Sequence, residues 1–152
     1  MAYDRAGTGR WVWIKTIGSA DDRLKERWLE ERGFLLESVW FPKHPRSLRA
    51  GDLLVYYAAG MGVFPAVVEL TSSDVEEDPP HPRHAKRWPW RMSVRPRLVI
   101  PTLSDAPTLA DSGINPLRLR RQSHILLSRP EWERFRDVYL PSDDSASSAV
   151  AA

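Results

Sequence analysis

Six short apolar runs, each about the length of a β-strand, recur along this chain and constrain its fold more than any other feature. Turns rich in glycine and proline separate them, and strands do not alternate with helices as a parallel, doubly wound sheet requires. We therefore predict an α+β fold, a mixed or antiparallel pseudo-barrel of five to six strands with flanking helices. The runs span residues 11–17, 34–41, 53–59, 63–70, 90–100 and 124–127.

Local signals predict two helices and one hairpin. Ser19 is a candidate N-cap and Gly33 a stop signal, so a helix is predicted over residues 20–32. A capping box at residues 128–131 opens a second helix near the end of the chain. The glycine-rich link at residues 60–62 predicts that the two runs beside it pair as an antiparallel hairpin.

The chain of 152 residues has the size of one domain. We expect a flexible leader at residues 1–10, a folded domain at 11–140 and a disordered tail at 141–152, where Ser, Asp and Ala have nothing to pack against. The absence of cysteine excludes disulfides and thiolate metal sites. The longest apolar run is far shorter than the roughly 20 residues that cross a bilayer, so we expect no membrane partner and a cytoplasmic location.

Basic side chains are concentrated in the second half of the chain. Residues 81–121 contain 9 basic and 2 acidic side chains, whereas residues 1–80 contain 10 and 13. The alternation over 90–100 places Arg91, Ser93, Arg95 and Arg97 on the face opposite to the apolar residues, and the planar guanidinium binds phosphate well. The predicted phosphate-binding residues are Lys86, Arg87, Arg95, Arg97, Arg118, Arg120 and Arg121.

Two alternatives to phosphate binding are left open by this pattern. A solvated strand face would carry the same row of arginines. The acidic residues 74–78 and the acidic tail also have the charge needed to fold over this face and mask it.

Aromatic residues supply the second ingredient of a nucleic-acid site. The chain has seven tryptophans, and flat rings stack on bases while nearby cations contact phosphates. An extruded base needs a pocket of such rings. Trp28 and Trp132 are expected in the core, so the pocket would come from the remaining candidates, which are Trp11, Trp13, Trp40, Tyr56, Tyr57, Trp88 and Trp90.

Signatures of catalysis and metal binding are missing. No glycine-rich phosphate loop or nucleophile elbow occurs, so we predict a non-enzymatic protein without a cofactor. A hydrolase with His124 or His84 as its base is the catalytic alternative. His81 and His84 could share a metal ion, but the cations around them, Arg83, Lys86 and Arg87, disfavour a metal site.

The order of these segments resembles the EVE domain, a PUA-like domain related to the YTH domain. The resemblance covers about residues 11–139. Its segments are an aromatic first strand (WVWIKTIGS), a Gly-Asp turn into a tyrosine-bearing strand (GDLLVYYAAG), a returning strand (FPAVVEL), an aromatic and arginine-rich strand (RWPWRMSVRPRLVI), and a closing strand with its helix (RRQSHILLSRPEWERF). It implies a PUA-like pseudo-barrel with a pocket that reads modified bases in DNA or RNA.

The resemblance also implies where this pocket lies. Trp13, Thr16 and Ser19 would stand near it at the end of the first strand, Tyr57 on the strand opposite and Arg91 beside it. Arg120, Arg121 and Ser123 would flank its opening. Together with Trp88 and Trp90 from the aromatic pool, these residues complete the predicted pocket.

The hypothesis is therefore a module that reads a modified base of DNA or RNA in an aromatic pocket, while arginines contact phosphates. The alternative from a different class is a PUA-like protein that binds a nucleoside or another metabolite in the same pocket and does not bind polymers.

Overall fold

A computed structural model of the chain describes residues 11–19, 21–80, 87–119 and 124–139. The strands are β1 (Val12–Ile17), β2 (Ser38–Phe41), β3 (Leu53–Ala58), β4 (Val63–Leu70), β5 (Glu76–Glu77), β6 (Trp90–Val99) and β7 (His124–Leu126). The α-helices are α1 (Leu29–Arg32), α2 (Leu109–Ser112) and α3 (Arg129–Tyr139). Short 3-10 turns cover Gly33–Leu36, Leu103–Asp105 and Pro116–Leu119.

One curled, mixed sheet contains all of these strands. The order is β2-β6-β4-β3-β1-β7, and β5 pairs with β6. β1 and β3 are parallel, and the other pairs are antiparallel. The two end strands approach each other, because the rings of Phe41 in β2 and His124 in β7 lie 5.4 Å apart. The predicted pseudo-barrel is confirmed, with the two-residue β5 as an additional strand.

The sheet separates two apolar cores. The first lies inside the curl and contains Trp13, Trp28, Phe41 and Tyr56. The second lies on the outer face, where the Phe135 ring of α3 packs 4.6 Å from Phe64. Alternate residues of β1 serve both cores, since Trp13 and Ile17 belong to the first and Val12 and Ile14 to the second.

A buried carboxylate anchors the start of the parallel pair. Asp52 is fully buried just before β3. Its carboxylate accepts hydrogen bonds from the backbone N–H of Trp11 at 3.0 Å, the indole N–H of Trp13 at 3.2 Å and the backbone N–H of Arg49 at 3.2 Å. The Gly-Asp turn of the sequence therefore links β1 and β3 by side-chain chemistry as well as by strand pairing.

Several local predictions are confirmed. β3 and β4 form the antiparallel hairpin, and Gly60 and Gly62 adopt positive φ in its turn. The capping box of α3 is present, because the backbone N–H of Ser128 donates to Glu131 at 2.9 Å and the N–H of Glu131 donates to the Ser128 hydroxyl at 3.3 Å. Residues 1–10 and 140–152, which include the predicted leader and tail, lie outside the described residues.

The predicted helix over residues 20–32 is wrong for most of its length, since α1 comprises only Leu29–Arg32. Ser19 does not cap a helix; it forms two backbone hydrogen bonds with Asp22, at 3.1 and 3.2 Å. Tertiary contacts hold this stretch. The Trp28 indole N–H donates to the carbonyl of Ile100 at 2.9 Å, and the carbonyl of Glu26 accepts from Leu103 at 2.9 Å. Such contacts override a weak helical propensity.

Two strand predictions need correction. The second strand begins at Ser38 rather than at residue 34, because residues 33–36 form a 3-10 turn whose Leu35 carbonyl accepts from the Tyr56 hydroxyl at 2.6 Å. In β6, the register shifts by one residue at Arg97. Met92 and Val94 consequently face the first core while Leu98 faces the second, and the predicted unbroken alternation fails at this bulge.

Candidate functional site

A cavity of about 290 Å³ opens where the end of β1 meets α1 and β2. This volume is at the lower end of the range for small-ligand pockets. Pro80 and Trp88 contribute one side of it. The lining residues are Lys15, Thr16, Ile17, Gly18, Asp22, Arg32, Phe34, Leu35, Val39, Trp40, Pro80 and Trp88.

Three aromatic rings form the walls of this cavity. The rings of Phe34 and Trp40 lie 5.5 Å apart at an angle of 73°. The indole N–H of Trp40 donates to the carbonyl of Asp78 at 2.5 Å, so its ring is held in place. The half-buried Trp88 is the third ring, with the guanidinium of Arg87 at 4.7 Å from its centre. Rings arranged around an open volume can stack on a flat ligand.

A buried lysine contributes the polar group at the inner end of β1. Lys15 is only 3% exposed, and its ammonium donates to the carbonyl of Thr16 at 2.5 Å. The ammonium also lies over the Phe41 ring, 5.1 Å from its centre. Burial lowers the pKa of Lys15 to about 7.

His124 is the neighbour of Lys15 on β7. Its ring makes edge contacts with Trp13 at 5.5 Å and with Phe41 at 5.4 Å. Burial, and secondly the charge of Lys15, lowers the pKa of His124 to about 4, so the imidazole is neutral at pH 7. Its buried Nδ1 has no hydrogen-bond partner within the described part of the chain.

The rim of the cavity carries an ion pair. Asp22 and the guanidinium of Arg32 are 2.6 Å apart. The chain reaches Asp22 through a turn at Gly18, whose φ is +73°. A Cβ at this position would lie 2.7 Å from the Leu24 side chain, so both the backbone angle and the close approach require glycine.

Of the predicted pocket residues, Thr16 and Trp88 line the cavity. Trp13 lies in the first core, and its indole is bonded to Asp52. Tyr57 points to the outer face and contacts Phe64 at 5.1 Å, because its neighbour Tyr56 takes the inner face.

Three other predicted pocket residues, Trp90, Ser19 and Arg91, are not among the residues that line the cavity. Trp90 contacts the His44 ring at 4.9 Å. The Ser19 hydroxyl is buried with no hydrogen-bond partner among the described residues. Arg91 forms ion pairs with Glu76 and Asp78. Ser123 falls outside the described residues.

Internal ion pairs engage the arginines of β6. Arg91 pairs with Glu76 of β5 and with Asp78 at 3.1 Å, so the acidic segment covers this arginine. Arg95 and Arg97 share the carboxylate of Glu69, at 3.2 and 2.6 Å, while their side chains stay 60% and 41% exposed.

The other predicted phosphate-binding residues differ in their surroundings. Arg118 pairs with Glu131 of α3. Arg87 is exposed. Lys86, Arg120 and Arg121 lie outside the described residues.

Sequence reasoning did not select Lys15 or Phe34 for the site, and it kept Trp40 only as one candidate among several. A usable signal existed for Lys15. A lysine that alternates with Trp13 and Ile17 on the apolar face of a strand must be buried, and buried lysines are uncommon. Phe34 had no comparable signal, because a run of strand length gave no reason to expect an exposed ring.

The described residues contain no group of three or more His, Asp or Glu side chains placed to hold a metal ion. His81 and His84, the metal candidates of the sequence, are outside these residues. Among the helices in the described segments, none is long and apolar enough to span a membrane.

Comparison with known proteins identifies the fold. No protein-family model and no curated protein matches the sequence. Solved structures do match, among them protein PSPTO5229 from Pseudomonas syringae, at 12% identity and a TM-score of 0.53 over 84% of this chain and 98% of that one. The chain has a PUA-like fold.

Two eukaryotic structures match over a similar extent. A hypothetical protein from Leishmania major is 14% identical, with a TM-score of 0.51 over 84% of this chain and 93% of that one. Human THYN1, whose structure is a complex with DNA containing 5-methylcytosine, is 10% identical, with a TM-score of 0.50 over 81% of this chain and 94% of that one.

Proposed function

We propose that this protein is a non-enzymatic, cytoplasmic nucleic-acid-binding module of the EVE type, which inserts one modified base of DNA or RNA into the cavity at the end of β1. The observation that carries the proposal is the cavity itself, with Phe34, Trp40 and Trp88 around a volume of about 290 Å³. Stacking between such rings offsets the cost of unstacking a base from its helix.

The comparison with human THYN1 supports this choice of ligand. That protein, which shares the fold, was solved with DNA containing 5-methylcytosine. In this chain Thr16 and Trp88 are the predicted pocket residues that contact the base, joined by Phe34 and Trp40. Base-contacting roles for Trp13, Ser19, Tyr57, Trp90, Arg91 and Ser123 stay predictions.

Phosphate contacts form the second half of the proposal. Arg95 and Arg97 keep exposed guanidinium surface although they share Glu69, so phosphates can bind them from the solvent side. Arg87 stands beside the ring of Trp88 and would contact the phosphates next to the inserted base. Lys86, Arg118, Arg120 and Arg121 complete the proposed set.

Fluorescence anisotropy with labelled DNA and RNA oligonucleotides, plain and methylated, tests the proposal at two salt concentrations. Binding should weaken steeply with salt, and Arg95→Ala or Arg97→Ala should each reduce the salt slope by about one. Trp88→Ala should abolish the preference for the modified base. Trp132→Ala is the matched control, since this ring packs against the second core, away from the cavity lining. Affinity that does not depend on salt would contradict the proposal.

One observation favours the second candidate, a protein that binds a free nucleoside. Arg91, Arg95 and Arg97 are all paired with carboxylates of the chain, which lowers the positive potential along β6. Salt-independent binding of a nucleoside, together with no binding of any oligonucleotide, would establish this candidate instead.

A further inference from the structure

The ammonium of Lys15 has fewer hydrogen-bond partners than it has donors. A lysine ammonium carries three N–H donors, and the structure gives Lys15 one acceptor, the carbonyl of Thr16. No carboxylate of the described residues lies within ion-pair distance of it. The acidic residue of the cavity lining, Asp22, is bonded to Arg32 at 2.6 Å. Buried charge without a carboxylate partner is costly, so its retention needs an explanation.

The described elements next to Lys15 offer no group that neutralises its charge. On β3, the hydroxyl of Tyr56 donates to the carbonyl of Leu35, and burial raises the pKa of Tyr56. On β7, His124 is neutral at pH 7. Arg32 of α1 adds a second positive charge to the lining. Among the described residues on these elements, the titratable groups other than Asp22 are neutral or positive.

We propose that Lys15 determines the ligand specificity of the cavity, and that it selects a base whose inserted edge carries a carboxylate over the same base carrying a methyl group. The inference rests on the proposed function, that the cavity receives a base. A carboxylate supplies acceptor oxygens for the remaining N–H groups and the negative charge that the described part of the chain does not place beside Lys15.

The desolvation of Lys15 occurs on folding and not on ligand binding. Lys15 is already removed from water in the unliganded fold, so that part of the cost of a buried ion pair is not incurred again on binding. A methyl group would contact the aromatic walls but would leave the ammonium without a partner. The carboxylate therefore gains an interaction that its methyl analogue lacks.

Proton linkage provides a readout that a purely structural lysine would not show. Because the pKa of Lys15 is about 7, the unliganded protein loses this proton as the pH rises above 7. A carboxylate that binds the protonated form raises this pKa. Affinity for the carboxylated base should then fall above pH 7, by up to about tenfold per pH unit, until the pKa of the complex is reached.

The experiment uses fluorescence anisotropy with DNA oligonucleotides that contain one 5-carboxylcytosine, one 5-methylcytosine or only unmodified cytosine. Wild type, Lys15→Met and the control Lys25→Met are compared at pH 6.5 and 8.5. Lys25 is a suitable control because its side chain is 74% exposed and paired with Glu31. At pH 6.5 the wild type and Lys25→Met should prefer the carboxylated oligonucleotide by about tenfold or more.

In Lys15→Met this preference should disappear, and so should the pH dependence. A preference that persists in Lys15→Met, or equal affinity of the wild type for the carboxylated and methylated oligonucleotides, would overturn the inference. In either case the modified oligonucleotides still bind, and the proposed function stands.

A second measurement needs no variant and no polymer. The chain has only four lysines, Lys15, Lys25, Lys43 and Lys86, so their 13Cε resonances can be followed individually by NMR. Saturating 5-carboxyl-2′-deoxycytidine should move the titration of Lys15 up by at least about one pH unit. If no oligonucleotide binds but this shift occurs, the polymer-binding function is wrong and the specificity of Lys15 stands. No shift, with no oligonucleotide binding, overturns both.

Discussion

Two buried charged side chains lie near opposite ends of β1, and they differ in how many hydrogen-bond partners the chain gives them. Asp52, beside Trp11 and Trp13, accepts hydrogen bonds from three N–H groups. Lys15, two residues after Trp13, has one acceptor and borders a cavity. A buried carboxylate with a full set of donors acts as a structural anchor. A buried ammonium with an incomplete set costs stability and leaves donors for a ligand.

The largest loss of stability is expected from substitution of Asp52. Asp52→Ala leaves one buried and two part-buried N–H groups without this acceptor, so it should lower the free energy of unfolding by about 3 kcal/mol. Urea denaturation followed by tryptophan fluorescence measures this. Glu133→Ala, at an exposed position of α3, is the control and should stay within about 0.5 kcal/mol of wild type. A loss below about 1 kcal/mol for Asp52→Ala would remove the contrast between the two ends.

At the other end of β1, substitution of Lys15 should raise the free energy of unfolding instead of lowering it. Lys15→Met keeps the length of the side chain and removes its charge, so the variant should be more stable than wild type by about 2 kcal/mol at pH 7. The folded pKa is lowered from 10.5 to about 7, so the unfolded chain binds more protons between these values. Wild-type stability should therefore rise with pH in this window, by up to about 1.4 kcal/mol per unit.

Urea denaturation at several pH values from 6.5 to 9.5 checks this prediction. The rise of the free energy of unfolding with pH should be shallower in Lys15→Met and unchanged in Lys25→Met. If Lys15→Met proved less stable than wild type at pH 7, Lys15 would be a structural residue like Asp52, and the comparison would fail.

His124 should make a smaller contribution to the pH dependence of stability, at acidic pH. Its pKa is lowered from 6.5 to about 4 by burial and by Lys15, so the unfolded chain binds more protons between these values. Stability should fall as the pH falls from 6.5 to 4, and His124→Phe should lack this part of the decline. Partial solvent exposure of His124 reduces the size of the effect.

Lys15→Met sharpens the same measurement. Removing the nearby positive charge raises the pKa of His124 towards 6.5, so the acid decline should still begin near pH 6.5 but should be smaller and end above pH 4. NMR titration of the His124 ring in both proteins measures this pKa directly. An identical pKa in wild type and Lys15→Met would show that the two groups do not interact.

The smallest effect on stability is expected at the wall of the cavity. Phe34 is 42% exposed, so Phe34→Ala should change the free energy of unfolding by less than about 1 kcal/mol. The same substitution should weaken binding of a modified oligonucleotide, because one stacking surface is lost. Unfolding and anisotropy measured on the same preparation separate the two effects. Unchanged binding would exclude Phe34 from the site.

Elements with local signals could be predicted from the sequence. The β3–β4 hairpin follows from apolar runs around two glycines, and α3 follows from a capping box whose partners are three residues apart. The helix over residues 20–32 had comparable signals and failed. Trp28 is bonded to Ile100, 72 residues away, and no local pattern reports a contact at that separation.

The candidate site was less predictable than the fold. Thr16 and Trp88 were identified, but Lys15, Phe34 and Trp40 join them only because the sheet curls and brings β2 towards β1. The bulge at Arg97 had a similar consequence, since it moved Leu98 and its successors to the opposite face from the one that strict alternation predicts.

The fold class and most strand positions follow from the sequence alone, because they depend on apolar periodicity and on turn residues a few positions apart. The tertiary structure decided which rings surround a cavity, which carboxylates pair with the arginines of β6, and that Lys15 has one acceptor where Asp52 has three donors. Those properties depend on residues distant in the chain, and closure of the sheet sets their distances.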